Sequence, residues 1–188
     1  MRDKRRCSWV TDEPIYIKYH DEEWGKPVYE DQELFEMLSL EGAQAGLSWI
    51  TILKRRESYR IAFDQFHPKI VRAYDEGKVQ SLLQNEGIIR NQLKIRSVIT
   101  NAEAFLHIQE EFGSFSAYIW QFVDGRPMIN NWRRHEDVPA STEESERMSK
   151  DLKKRGFKFI GPVICYAFMQ AIGMVNDHTQ DCWLYSGE

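Results

Sequence analysis

Four side chains near the two ends of this 188-residue sequence have the chemistry of a metal site. Cys7 and His20 stand near one end, and His178 and Cys182, in NDHTQDC, near the other. If the second segment is helical, its H-x3-C spacing puts both side chains on one face at i and i+4, the geometry of a chelating pair. Two thiolates and two imidazoles match a closed tetrahedral zinc site, which leaves no position for water and is therefore structural. Ligands this far apart in sequence meet only in the folded chain, so the ion would tie down ends that otherwise fray. Cys165, the third cysteine, sits in an apolar run and reads as buried and inert. An odd number of cysteines argues against a disulfide framework.

A second group surrounds an acid. LSLEGAQAGLSWITIL, residues 38–53, places Glu41 in a helix-period apolar stripe, followed by small residues, Gln44 and Trp49. Burying an ionised acid costs several kcal/mol unless it is paired or hydrogen-bonded. Glu41 has three readings: it reaches solvent or a backbone donor, it is a general base working with a metal, or it holds a ligand. A closed four-ligand zinc gives a base nothing to activate. Trp9, Tyr16, Tyr19 and Trp24 crowd the segment CSWVTDEPIYIKYHDEEWG. A carboxylate beside aromatic faces suits a flat cationic group that donates hydrogen bonds, because ring quadrupoles and acid both favour positive charge. Core filling is the plainer reading of the rings.

The third group is LLQNEGIIRNQLKI, residues 82–95: helix, glycine-containing turn with two apolar residues, then helix, with Arg90 and Lys94 behind the turn. Such a turn can aim backbone N–H groups at a phosphate without any net positive charge, although an ordinary αα-corner has the same spacing. The formal charge of −4 excludes binding of nucleic acid by overall attraction. KRR at 54–56 and KKRGFK at 153–158 are local basic patches or solvated helix faces.

The elements that must position these groups are helices, because 3.6-residue periodicity dominates and strand-like alternation is almost absent. Asp31 is expected to cap a helix through about residue 45, with Leu34, Phe35, Leu38 and Glu41 on one face. Ser48 is expected to cap a helix running to a break at His67-Pro68. A shorter helix ends at Gly87, and a long one to about Gln109 has Ile89, Leu93, Val98, Ala102 and Phe105 on its inner side. Residues 124–141 read as a long connection. Ser141 with Glu144 forms a capping box, Gly156 supplies a left-handed stop, Pro162 suits a first turn, and Gly173 ends the last helix. Hydrophobic residues at 42% and charged residues at 29% describe a globular chain that forms one domain over residues 1–188. The basic N-terminal stretch lacks a signal peptide's apolar segment, and the run at 160–175 is too short and interrupted for a membrane span. A cytoplasmic protein with no membrane association and no obligate protein partner is expected.

CSWV, YHDEEWG, LFEMLSLEGAQAGLSWITILKRRE, GIIRNQLKI and KKRGFKFIGPVICYAFMQAIGMVNDH, in this order and followed by Cys182, strongly resemble the 3-methyladenine DNA glycosylase I family of the helix-hairpin-helix superfamily. The resemblance covers nearly the whole chain. It implies an all-α glycosylase-like fold, with a helical lobe containing the hairpin around 82–95 and a second lobe in which a structural zinc on Cys7, His20, His178 and Cys182 joins the terminal segments. It implies that Glu41, with Tyr19 beside it, recognises a flipped base, that Trp49 stacks on it, and that Trp9, Tyr16 and Trp24 surround it. Gln44, Gly46 and Leu47 match the segment that enters the duplex, and Gly87, Ile88 and Ile89 match the phosphate-gripping hairpin, with Arg90 and Lys94 following. The implied partner is double-stranded DNA with alkylated bases, and the implied reaction is hydrolysis of the N-glycosidic bond of N3-alkylated adenine.

Several departures from the wider superfamily qualify this. No Asp occurs between Gly87 and Gly113, where many members place a catalytic aspartate, so no general base is assigned. No lysine is nominated as a Schiff-base nucleophile, which implies a glycosylase without strand cleavage. Three cysteines cannot hold the four-thiolate iron-sulfur cluster of some relatives. Ala167 stands where relatives carry a serine, which bears on fine selectivity. The rival readings are a zinc-stabilised nucleic-acid-binding module without activity, for which Glu41 has no use, and a zinc hydrolase, which needs three protein ligands rather than four.

Overall fold

The computed structural model describes residues 4–187. Among them are ten α-helices: α1 (Pro14–Glu22), α2 (Asp31–Gln44), α3 (Trp49–Leu53), α4 (Arg56–Ala62), α5 (Pro68–Val71), α6 (Glu76–Gln84), α7 (Gln92–Phe112), α8 (Phe115–Ile119), α9 (Glu143–Lys154) and α10 (Pro162–Ala171). Helix α2 is the centre, buried from Leu34 to Ala43 and so covered on all sides rather than along one stripe. Helix α10 packs against it and against α9, while α7 packs on α5, α6 and α8. Phe105 stacks on Phe115 with centroids 4.2 Å apart and meets Phe35 at a tilt at 5.1 Å. None of the helices among the described residues is long and apolar enough to cross a membrane.

Helix ends differ from the sequence expectations where long-range partners decide. The cap of α2 is Glu30, whose carboxylate accepts from Glu33 N at 2.7 Å. Asp31 instead reaches across the fold and accepts from Phe115 N and Ser116 N, both at 2.8 Å, and from Gln109 Nε2 at 2.6 Å. It thereby holds the first amides of α8. The helix expected from Ser48 to His67 is broken into α3 and α4, with Arg55 at φ −104° and ψ 0°. Ser48 Oγ pairs with Thr51 Oγ1 at 2.7 Å rather than capping a backbone amide. Beyond the break, the Arg56 guanidinium is drawn into a buried ion pair with Glu36 at 2.5 Å and also pairs with Glu23. The capping box of α9 lies one residue later than expected, between Thr142 and Ser145, because the buried Ser145 hydroxyl accepts from Thr142 N at 2.9 Å.

Helix α7 starts at Gln92, where Asn91 Oδ1 accepts from Lys94 N at 3.0 Å, and ends at Gly113 with φ +85°. Val98, Ala102 and Phe105 face inward as expected, joined by Ile95 and Ile108. Leu93 does not: it is 70% exposed. At about 100° per residue, a position two before Ile95 falls on the opposite side. Ile89 lies in the turn before the helix.

The long connection carries a strand of two residues, β1 (Met128–Ile129), which pairs in parallel with β2 (Val175–Asn176). This small ladder is the exception to an otherwise helical fold. Gly156, at φ +96°, closes α9 in the left-handed conformation expected. Gly173, at φ +70°, closes α10 and has a second reason to be glycine, since an added Cβ would lie 2.3 Å from the Lys26 carbonyl carbon. The approach is fixed by Gly25 N donating to Gln170 O and Val28 N to Ile172 O, both at 3.0 Å. Gly173→Ala is expected to destabilise the fold by about 2 kcal/mol or more. A thermal midpoint within a degree of the wild type would contradict this contact.

Candidate active site and metal centre

His20 sits in the last turn of α1, Cys7 in the segment before it, and His178 and Cys182 in a turn after β2. That segment is not helical; Cys182 N donates to Thr179 O at 2.8 Å, so a tight turn brings the H-x3-C pair together. The four ligand atoms are buried and lie within 4.8 Å of one another. Cys7 Sγ is 3.5 Å from His178 Nδ1, and Cys182 Sγ is 3.5 Å from both His20 Nε2 and His178 Nδ1. A tetrahedron with the usual zinc–sulfur and zinc–nitrogen bonds has S···N edges of about 3.6 Å, so the donor set fits that ion.

The outer partners fit as well. With Nε2 facing the cluster, His20 Nδ1 donates to Asp21 Oδ1 at 2.8 Å, and with Nδ1 facing it, His178 Nε2 donates to Trp24 O at 3.2 Å. Arg6 grips Asp21 at 2.8 and 2.7 Å and holds its carboxyl well below the usual carboxylate range. A hydrogen bond shared by the two thiols pushes Cys7 up and holds Cys182 down; a divalent cation favours thiolate at both. Cys165 is buried in α10 with Sγ 3.4 Å from Ile160 O, apart from this cluster.

The two histidines of this cluster stand behind an aromatic wall. The His20 and His178 rings lie 4.8 Å apart, His178 meets Trp24 edge-on at 4.8 Å, and Trp9 meets His20 at 5.4 Å, Trp24 at 5.0 Å and Tyr16 at 5.0 Å. Tyr19 lies 5.5 Å from Trp49. The rings of Trp9, Tyr16, Tyr19, Trp24 and Trp49, with Glu41, line one cavity of about 170 Å³. It is smaller than the roughly 300 Å³ or more of a drug-sized site and suits one flat ring system.

Glu41 is 4% exposed and has neither a hydrogen bond nor an ion pair among the described residues. Burial pushes its carboxyl up to about 8. Burial and, after it, the Glu41 charge raise Tyr19 well above the ordinary phenol value and also raise Tyr16. Trp49 Nε1 is a buried donor without a partner. Unmet acceptors and donors around an apolar cavity call for a ligand that supplies the missing bonds.

Gln44, His135, Val138, Ala167, Gln170 and Asp177 complete the lining. Except for Gln44 and Ala167, they carry no legible signal in the sequence. Asp177 accepts from Asn130 Nδ2 at 2.7 Å, Trp132 Nε1 at 2.8 Å, Tyr166 OH at 2.6 Å and Gln170 Nε2 at 2.8 Å. It fixes both the long connection and the Gln170 amide.

Beside the cavity, residues 44–47 make a type II turn: Ala45 has φ −47° and ψ 118°, Gly46 φ +77°, and Leu47 N donates to Gln44 O at 2.7 Å. Gln44 Nε2 also donates to Leu47 O at 2.8 Å, and the Leu47 side chain is left 37% exposed. In the hairpin, the expected outward row of amides is not found at Gly87, Ile88 and Ile89. Gly87 N donates to Asn85 Oδ1 at 2.8 Å, Ile88 N to Asn85 O at 3.4 Å, and Ile89 N to Tyr59 OH at 3.1 Å. Among the described residues, the amides after Ile89 that have no partner include that of Arg90 and those of Gln92 and Leu93 in the first turn of α7. Gly87 is required by packing, since a Cβ there would lie 2.9 Å from Ser58 Cβ. Arg90 is exposed, its nearest carboxylate Glu86 at 3.9 Å. Lys94 turns inward instead, donating from Nζ to Ala43 O at 2.8 Å and Ala45 O at 2.6 Å.

The methyladenine glycosylase family matches residues 9–185. DNA-3-methyladenine glycosylase 1 of Escherichia coli K12 is 50% identical over 182 residues, 97% of each chain. A crystal structure of 3-methyladenine DNA glycosylase I superposes with a TM-score of 0.95 at 51% identity, covering 97% of this chain and 100% of the other. The Staphylococcus aureus 3-methyladenine DNA glycosylase I, solved for the structural basis of 3-methyladenine recognition, gives 0.94 at 36% identity, with 97% of both chains covered. With its aromatic cavity and its terminal cluster both placed, and with this likeness running almost end to end, the chain belongs to the methyladenine glycosylase family.

Proposed function

We propose that the chain is a 3-methyladenine DNA glycosylase of base-excision repair. It receives an N3-alkylated adenine swung out of double-stranded DNA into the Glu41 cavity and hydrolyses the bond to the sugar, leaving an abasic site. One observation carries this reading: Glu41 is a buried carboxylate without a partner among the described residues, walled by aromatic rings. Alkylation at N3 puts a positive charge on adenine and weakens its bond to C1′, so the base leaves with little protonation and selection is the main task. Glu41 accepts hydrogen bonds from the donors of the modified purine, with the Tyr19 hydroxyl beside it. Trp49 provides the stacking face, and Tyr16, Trp9 and Trp24 close the walls. Water then bonds to C1′, the C1′–N9 electron pair returns to the ring and cancels its charge, and the water's proton is lost to solvent. No lysine lines the cavity, so no Schiff base forms and the strand stays intact.

On the DNA side, Gln44, Gly46 and Leu47 enter the duplex and fill the gap left by the nucleotide. The hairpin around Gly87, Ile88 and Ile89, with Arg90 and the free amides of α7, holds a phosphate. Cys7, His20, His178 and Cys182 would hold one zinc ion, which supplies a cross-link and takes no part in the chemistry. The test is chromatography of methylated duplex DNA incubated with the protein. Free 3-methyladenine should appear, with strand breaks only after alkali, and absence of base release from folded protein refutes the reading. Trp49→Ala, which removes stacking worth about 1 to 3 kcal/mol, should weaken base binding roughly 10- to 100-fold.

A further inference from the structure

Lys94 was expected to meet a phosphate, and its geometry gives it another task. Its backbone is pinned at the start of α7, where Lys94 N donates to Asn91 Oδ1 at 3.0 Å and Ser97 Oγ donates to Lys94 O at 2.6 Å. Its side chain leaves α7 and ends between two carbonyls of another element. Ala43 O and Ala45 O, at the C-terminal end of α2, accept from Nζ at 2.8 and 2.6 Å. These are the orphan acceptors of a helix terminus, where a cation also complements the helix dipole. Ala43 O comes just before the type II turn and Ala45 O lies within it, with Leu47 as the turn's last residue. Two of the three ammonium donors are thus committed to protein carbonyls on either side of Gln44.

We infer that Lys94 is a positioning residue that latches the turn Gln44–Leu47 to the hairpin and α7, so that gripping the phosphate sets how deeply Leu47 enters the duplex. The inference rests on the reading of that turn as the inserted segment. Without the latch, the turn keeps its internal bonds from Gln44 to Leu47 but loses its fixed placement relative to the hairpin. Glu41, held by its place within α2, and Trp49, whose ring lies 5.5 Å from that of Tyr19, keep their positions.

The test is a double-mutant cycle of Lys94→Met and Leu47→Ala, read by single-turnover release of 3-methyladenine from methylated duplex. Lys94→Met is expected to slow release roughly 10- to 100-fold, as misplacement by about an ångström does. Its affinity for free 3-methyladenine should stay within about twofold of the wild type, which reports an intact fold and cavity. Because the lysine acts through the turn, Lys94→Met should add less than about twofold when Leu47 is already alanine; full additivity overturns the latch. The salt dependence of duplex binding supplies a second readout. A latch leaves the slope unchanged, whereas loss of a direct phosphate contact lowers it by about 0.9 and overturns the proposal. Lys94→Arg, which can still donate to both carbonyls, should recover most of the rate; if it is as slow as Lys94→Met, donation to the carbonyls is not the role. If Leu47→Ala alone releases base at the wild-type rate, the inserted-segment reading fails and takes the latch with it. If Leu47→Ala is slow while Lys94→Met is not, only the latch fails.

Discussion

Glu41→Ala is expected to lower single-turnover release of 3-methyladenine by roughly 10²- to 10³-fold, while affinity for undamaged duplex stays within about threefold. Hydrogen bonds to a charged acceptor are worth about 1.5 to 3 kcal/mol each, and the alanine forfeits two of them at a cavity that excludes water. Among the described residues nothing bonds to this carboxylate, so the loss falls on the ligand and not on the fold. Equal rates for wild type and variant would end the recognition role of Glu41.

The same residue makes a second, opposite forecast for stability. Its folded carboxyl is raised from 4.5 to about 8 by burial, so the fold prefers the neutral acid. The contribution is fully present below pH 4.5 and is lost as pH rises through about 8, because the unfolded chain is by then ionised. A shift of this size converts to several kcal/mol, at most about 5. Glu41→Gln keeps the shape without the ionisation, so it should melt above the wild type at pH 9, with the gap closing toward pH 4.5. A variant that gains stability while losing excision separates a functional acid from a structural one; melting curves that run parallel across this range would exclude the burial cost. An arriving cationic base favours the carboxylate, so below about pH 8 its binding should release a proton and tighten as pH rises.

Removal of the metal is the second large effect. Chelation, or Cys182→Ala, should lower the thermal midpoint by roughly 10 °C or more, since a structural tetrahedral ion contributes several kcal/mol and each is worth about 2 to 4 °C in a chain of this size. Base binding should be lost with it, because Trp9 and Trp24 rest on the rings of His20 and His178. Cobalt should restore the midpoint, the tryptophan fluorescence and, to within about twofold, the excision rate. An excision rate that depends strongly on which ion fills all sites would place the ion in the reaction. An unchanged midpoint after complete removal would show that the cluster is not a cross-link.

What the sequence revealed was chemistry that needs unusual residue types, and what it concealed was geometry supplied by distant partners. Cys7, His20, His178 and Cys182 were legible because thiols and imidazoles in pairs have few other uses, and the cluster is assembled as expected. Glu41 stood out as an acid in an apolar stripe, and it is buried beside the expected rings. Asp31 illustrates the opposite case: it is a good capping residue, but the helix it caps begins 84 residues later. Asp177 collects donors from 7 to 47 residues away, a network no local pattern encodes. Lys94 carried the charge of a phosphate ligand, yet only the approach of α2 to α7 shows that carbonyls claim it. In the hairpin, the glycine was legible, while the amide directions depended on Tyr59 and Asn85.

Because the imidazoles that back the cavity come from residues 20 and 178, the order in which the chain is synthesised bears on when it can work. A ribosome-bound chain halted before His178 already carries Glu41, Trp49 and every helix through α10. Its indoles at positions 9 and 24, however, lack the ring against which Trp24 lies, and Cys7 and His20 have no thiolate or imidazole to meet. Closure of the aromatic wall behind the cavity therefore waits until the chain beyond α10 has been made.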